Sequence, residues 1–166
     1  MVLTPRRFWG MLVGAMVVLS SCSSGGSDST LDTARATTPY ELLEGGSSSL
    51  GTRVGKPMLV NFFASWCAPC VAEMPDLEAL HQEYGDRVVF IGLDTQESVE
   101  AGRKIVQKTG VTYEIGRDPD GAMFTAFGGL GMPTTLLIRP DHTIAERHSG
   151  ALNASRLRSM IDKAFF

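Results

Sequence analysis

The sequence predicts an α/β fold, a mixed central β-sheet flanked by helices on both faces, and three observations predict it. Two short apolar runs, residues 58–64 (MLVNFFA) and 87–93 (RVVFIGL), are each followed by a stretch of helical periodicity. Strands joined through helices imply a parallel pair with right-handed crossovers. Later, residues 134–138 (TTLLI) and 143–147 flank Arg139-Pro140-Asp141-His142, which reads as a hairpin turn and adds antiparallel strands.

In chain order, residues 58–64 are rich in β-formers and read as a buried strand. Residues 68–84 place Val71, Met74, Leu77, Leu80 and Tyr84 at helical spacing and stop at Gly85, with Pro75 expected to kink the helix. Residues 87–93 are a second buried strand. Residues 98–109 carry Val99, Ile105 and Val106 at loosely helical spacing and end at Gly110. A short strand over 112–116 and a short helix over 120–127 follow. After the hairpin, Asn153 is an N-cap candidate for a closing helix with Leu157, Met160, Ile161 and Phe165 on one side.

The 166 residues, 43% hydrophobic and 20% charged, fit one globular domain plus an appendage. Arg6 and Arg7 form a basic head, and residues 9–19 are an unbroken apolar stretch, shorter than the roughly 20 residues that span a bilayer. Residues 1–21 therefore read as an export signal. The arginine pair alone is a poor match to the twin-arginine route. Leu19-Ser20-Ser21-Cys22 resembles the bacterial lipobox, which implies lipidation of Cys22. An ordinary secretory signal would leave Cys22 as an unpaired thiol in an oxidising compartment. Acyl chains on Cys22 would anchor the protein to a membrane. Residues 22–39 have almost nothing large and apolar and are expected to be a flexible tether, with the folded domain over 40–166. Loss of Arg6 and Arg7 with the signal takes the net charge from −3 to about −5, and there is no basic run. Nucleic acid is not an expected partner.

The chemistry lies in Cys67 and Cys70, two residues apart. A structural zinc site needs four ligands, and His81, His142 and His148 stand at no finger spacing. Haem attachment needs histidine after the second cysteine, where Val71 stands. A static disulfide closing so short a loop would stabilise weakly. A redox dithiol fits best. Cys67 falls where a strand ends and a helix begins, and there the free N–H groups and the helix dipole favour a thiolate. Pro69 has no N–H to donate, which a first helical turn tolerates.

The segment Phe63-Ala64-Ser65-Trp66-Cys67-Ala68-Pro69-Cys70 resembles the active-site segment of thioredoxin-fold proteins. It is more similar still to the exported TlpA/ResA-like branch, which includes cytochrome c maturation thioredoxins and DsbE-like proteins. Glu73 and Pro75 in CVAEMP, an inserted βα over 111–127, and Gly131-Met132-Pro133-Thr134-Thr135 carry the likeness across residues 40–166. It implies a thioredoxin-like fold with the TlpA/ResA-type βα insertion, and no cofactor. It further implies a redox disulfide between Cys67, the nucleophile, and Cys70, the resolving thiol.

By the same likeness Pro133 is cis, turning the Met132 backbone toward an extended substrate segment, and Trp66 packs against or screens the dithiol. Asn61 stands where classical cytosolic thioredoxins have a buried aspartate. Glu73 either tunes the thiols through its charge or is a solvated acid that complements the helix dipole. His81, His142 and His148 read as surface residues. Residues 42–56 (LLEGGSSSLGTRVGK) depart from the pattern, and the N-terminal hairpin of the relatives is expected to be short or loose here.

The expected activity is extracytoplasmic thiol–disulfide exchange, most simply reduction of disulfides in exported proteins such as apocytochrome c. A CcdA/DsbD-type membrane protein would supply electrons to a monomeric enzyme. Three alternatives stand beside it: a DsbE-like oxidant, a non-catalytic thiol-holding module, and a peroxiredoxin-like peroxide reductase. Ala64, three residues before Cys67 where peroxiredoxins carry a hydroxyl, argues against the last.

Overall fold

The computed structural model describes residues 33–53 and 55–166, so the export signal, Cys22 and most of the expected tether lie outside the described residues. Helix α1 (Thr33–Thr37) precedes a hairpin of β1 (Tyr40–Leu42) and β2 (Ser47–Ser48), then a 3-10 turn (Leu50–Arg53). The central part is β3 (Met58–Phe63), α2 (Ala68–Tyr84), β4 (Val89–Thr95) and α3 (Val99–Thr109). The inserted unit is β5 (Glu114–Asp118) with α4 (Ala122–Ala126). The chain closes with β6 (Thr134–Ile138), β7 (Ile144–Ser149) and α5 (Ala154–Phe165).

The strands form one seven-stranded mixed sheet in the order β2-β1-β5-β4-β3-β6-β7. Strands β3, β4 and β5 run parallel, and β6 runs antiparallel to both β3 and β7. Every residue of β3 is buried, which is why it reads as an unbroken apolar run. The pleat still sorts its side chains. Leu59 and Phe63 join the core under α2, α3 and α5, while Met58, Val60 and Phe62 join the core under α1 and α4. Asn61 has the parity of Leu59 and Phe63 and so lies beneath α2. Helix α2 runs on through Pro75, which stands inside it.

The helix ends follow local chemistry. Ser98 Oγ accepts the Ala101 N–H at 3.2 Å, and Asn153 Oδ1 accepts the Arg156 N–H at 2.9 Å. Gly110 closes α3 at φ 72°, in the left-handed region.

Strands β4 and β5 lie two residues later than the apolar pattern indicates. Their ends carry Asp94, Thr95 and Asp118, polar residues that are nonetheless buried, and hydrophobicity does not mark them. The packed chain also starts before Tyr40, because α1 falls in the expected tether and buries Ala36 against the second core. The hairpin is short, as expected, with Tyr40 opposite Ser48, but it is not loose. Strand β1 pairs antiparallel with β5, and Tyr40 donates its hydroxyl to Glu114 Oε1 at 2.6 Å.

Gly116 makes that docking possible: a Cβ there would meet the Tyr40 ring at 2.4 Å and Leu93 at 2.9 Å. Gly116→Ala should therefore cost about 1–3 kcal/mol through overpacking. A urea unfolding midpoint equal to that of the parent would show that the hairpin yields without penalty.

Candidate active site

Strand β3 delivers the chain through Ala64, Ser65 and Trp66 to Cys67, the N-cap of α2. Cys67 is extended (φ −90°, ψ 96°), its N–H donates to the Ala64 carbonyl at 3.1 Å, and its Sγ accepts the Cys70 N–H at 3.3 Å. Cys67 and Cys70 form a disulfide with their Cα atoms 5.3 Å apart. Cys67 keeps 6% of its surface exposed and Cys70 none, so an incoming sulfur meets Cys67 first. A thiolate on Cys67 would face the helix's free N–H groups, an arrangement that favours the anion.

The Met132-Pro133 peptide bond is cis. Pro133 is buried, its carbonyl accepts the Gly150 N–H at 2.8 Å, and Thr134 Oγ1 donates to the Gly131 carbonyl at 2.6 Å. Met132 packs against the same core cluster that holds Cys67 and Cys70. Trp66, expected to pack against or screen the dithiol, is not packed into the fold. It is 60% exposed, one residue before Cys67 in the chain.

Glu73, one turn after Cys70, is not solvated: only 2% of it is exposed. Its Oε1 accepts from Asn61 Nδ2 at 2.7 Å and its Oε2 accepts the Leu152 N–H at 2.9 Å. Asn61 Nδ2 also donates to Thr135 Oγ1 at 3.1 Å. Burial pushes the Glu73 carboxyl up to about 7, outweighing the two hydrogen bonds that favour its charged form, and Asp76 repels that form further. Among the described residues Asn61 Oδ1 is buried without a donor. A carboxamide offers a donating and an accepting edge, so Asn61 can donate to the carboxylate or, turned over, accept from the acid. Either protonation state of Glu73 can thus be hydrogen-bonded.

Two further site residues escaped the sequence reading. Ser65 donates its N–H to Glu97 Oε1 at 2.8 Å and its hydroxyl to Glu97 Oε2. No short spacing connects positions 65 and 97; only the pairing of β3 with β4 brings them together. His81, expected at the surface, is half-buried. Its ring packs 5.4 Å from Phe90 and 5.9 Å from Tyr113, and its Nδ1 is buried. His142 lies in the hairpin turn at φ 65°, and His148 is on β7. Among the described residues no group of three or more metal-ligating side chains occurs.

Residues 33–147 match the AhpC/TSA family. Over 111 residues the chain is 34% identical to the thiol-disulfide oxidoreductase ResA of Oceanobacillus iheyensis, covering 65% of this chain and 57% of that protein. It is 30% identical over 123 residues to the protein of the same name from Halalkalibacterium halodurans, covering 74% of this chain and 70% of the relative. A secreted Mycobacterium tuberculosis disulfide oxidoreductase homologous to E. coli DsbE superposes with a TM-score of 0.73 at 23% identity, over 80% of this chain and 99% of that structure. That likeness shows the fold, which is thioredoxin-like.

The buried acid has a consequence for stability. Unfolded, Glu73 ionises in the ordinary glutamate range; folded, it keeps its proton up to about pH 7. Between those values the native state holds a proton that the unfolded chain has lost. Stability therefore falls as pH rises through that window and levels above it. The drop amounts to roughly 3 kcal/mol. Glu73→Gln never charges and should lack this slope, so its advantage over the parent should grow between pH 5 and pH 8 in urea unfolding. An equal pH dependence in both proteins would mean that Glu73 ionises without penalty.

Proposed function

The chain belongs to the AhpC/TSA family, and we propose that it is a thiol–disulfide oxidoreductase that reduces disulfides of exported proteins. The observation that carries this reading is the Cys67–Cys70 disulfide at the head of α2, with Cys67 as both helix cap and outer sulfur. In the reduced enzyme the Cys67 thiolate attacks one sulfur of a substrate disulfide and expels the other as a thiolate, which takes up a proton. Cys70 then gives up its proton and attacks Cys67 Sγ. The Cys67–Cys70 bond forms, the mixed disulfide breaks, and the second substrate sulfur leaves. Two electrons have passed to the substrate.

Glu73 is positioned to handle the Cys70 proton, because it lies one turn along the same helix with a carboxyl poised near neutrality. Trp66, Met132 and Pro133 are the substrate-binding residues. As the likeness to the TlpA/ResA branch implies, the Met132 backbone would pair with an extended peptide while the exposed Trp66 indole covers its side chains. Apocytochrome c, with paired cysteines, is the substrate that the likeness to the TlpA/ResA branch favours. A CcdA/DsbD-type membrane protein would return the two electrons, and a lipid on Cys22 would hold the monomeric enzyme at the outer face of the cell membrane. A peroxide-reducing role has less support, since the buried methyl of Ala64 replaces the hydroxyl that would bind peroxide.

Cys70→Ala should trap a mixed disulfide through Cys67, seen as a thiol-sensitive adduct on non-reducing gels; capture by Cys67→Ala instead would reverse the two roles. The potential of the couple decides direction. Thioredoxin-fold couples span roughly −270 to −120 mV, and a value toward the lower end supports reduction. A value near the upper end would make the protein an oxidant of the DsbE-like kind. Cys22→Ala should move the protein from the membrane to the soluble fraction with turnover unchanged, and retention after a high-salt wash would argue for an uncleaved apolar anchor.

A further inference from the structure

Two carboxyl groups behind the active-site turn take no part in the chemistry above. Asp94, near the end of β4, is in register with Phe63 of β3 and Arg117 of β5 and is only 2% exposed. Among the described residues no N–H or O–H of a neighbour reaches either of its oxygens. The group that acts on it most strongly is another carboxyl, that of Glu97, three residues on. A carboxylate buried without donors beside a second acid is disfavoured, and a proton on Asp94 relieves it, since ionised carboxylates are acceptors alone. Glu97, half-buried, in turn accepts both the N–H and the hydroxyl of Ser65. Ser65 lies in the turn that carries Trp66 and Cys67.

Helix α3 is shaped around this pair. A Cβ at Gly102 would lie 2.2 Å from Asp94 Oδ2, so the glycine, unfavourable inside a helix, is there to admit the carboxyl. The charged groups facing Asp94 are Glu97 from the β4–α3 connection and Arg117 from β5, while α3 presents bare backbone at Gly102 with Leu43 alongside. Arg117 makes no hydrogen bond to Asp94 and instead donates its Nη1 to Glu41 at 2.8 Å.

We propose that a proton on Asp94, donated to Glu97, forms a protonation-dependent hold on the turn from Ser65 to Cys67, with Asp94 a positioning residue for the Cys67–Cys70 couple. The role assigned to the couple rests on the function proposed above; the hold on Ser65 does not. With the proton in place, Asp94 donates to Glu97, and the Glu97 oxygens stay directed at Ser65. Burial first, then the Glu97 carboxylate, keeps Asp94 protonated well above the usual carboxylate range, with Arg117 opposing. When base removes that proton, two carboxylates face each other with little water. Glu97, the less buried of the two, turns to solvent and releases Ser65, and the turn around Cys67 opens.

The test is a pH series from 6 to 10 on the oxidised full-length protein, reading the Ser65 amide by NMR. The wild-type amide should titrate in one step and lose at least tenfold of its hydrogen-exchange protection across it. Asp94→Asn gives Glu97 a donor at every pH, so its Ser65 amide should stay protected and flat. Cleavage of the Cys67–Cys70 disulfide by dithiothreitol, corrected for thiolate concentration, should rise severalfold over the same step in the wild type alone. A wild-type Ser65 amide that does not titrate, or the same step in Asp94→Asn, would overturn the proposal, as would cleavage rates with no step. Both pH responses in a protein without oxidoreductase turnover would support the hold and overturn the functional reading.

Discussion

The burial of one carboxyl group organises this site. Glu73 is withdrawn from water and held by Asn61 of β3 on one side and the Leu152 backbone before α5 on the other. Three elements meet at its two oxygens: the strand that feeds the active-site turn, the helix whose cap is Cys67, and the connection to the last helix. A buried acid left unpaired would be strongly destabilising, so the geometry that satisfies Glu73 also fixes how α2 lies on the sheet. The placement of Cys67 at the end of β3 follows from that seating.

Among the described residues three buried acids occur at this end of the sheet, and each is accommodated differently. Asp118 accepts the backbone N–H groups of Met123 and Phe124 at 3.0 and 2.8 Å, and so caps α4, whose own N-cap Gly121 has no side chain to offer. Glu73 has one amide and one backbone N–H as donors. Asp94 has only a second acid. Backbone donors meet both oxygens of Asp118 and neither oxygen of Asp94. The first supports architecture, while the other two lie within reach of the dithiol turn and its helix.

How much of this could be read from the chain depended on the range of each interaction. The strand β3, buried on both faces, and the Cys67–Cys70 spacing are local patterns and were legible, as was Glu73 as a residue of interest. Its burial was not, because its partners stand 12 and 79 residues away in sequence. The ends of β4 and β5 were misplaced because Asp94, Thr95 and Asp118 are polar yet buried. His81 read as a surface residue because its aromatic neighbours arrive from β4 and the segment before β5. Trp66 erred the other way: an indole beside a motif suggests cover, and here it stands in solvent.

That solvent-exposed indole has an optical consequence. The chain has two tryptophans, Trp9 and Trp66, so a chain without residues 1–21 carries a single fluorophore of this kind, next to the sulfur that reacts. Disulfides quench nearby indoles more strongly than thiols do. The emission of such a chain becomes a built-in gauge of the fraction of molecules in which the couple is closed, free of any attached dye and readable during turnover.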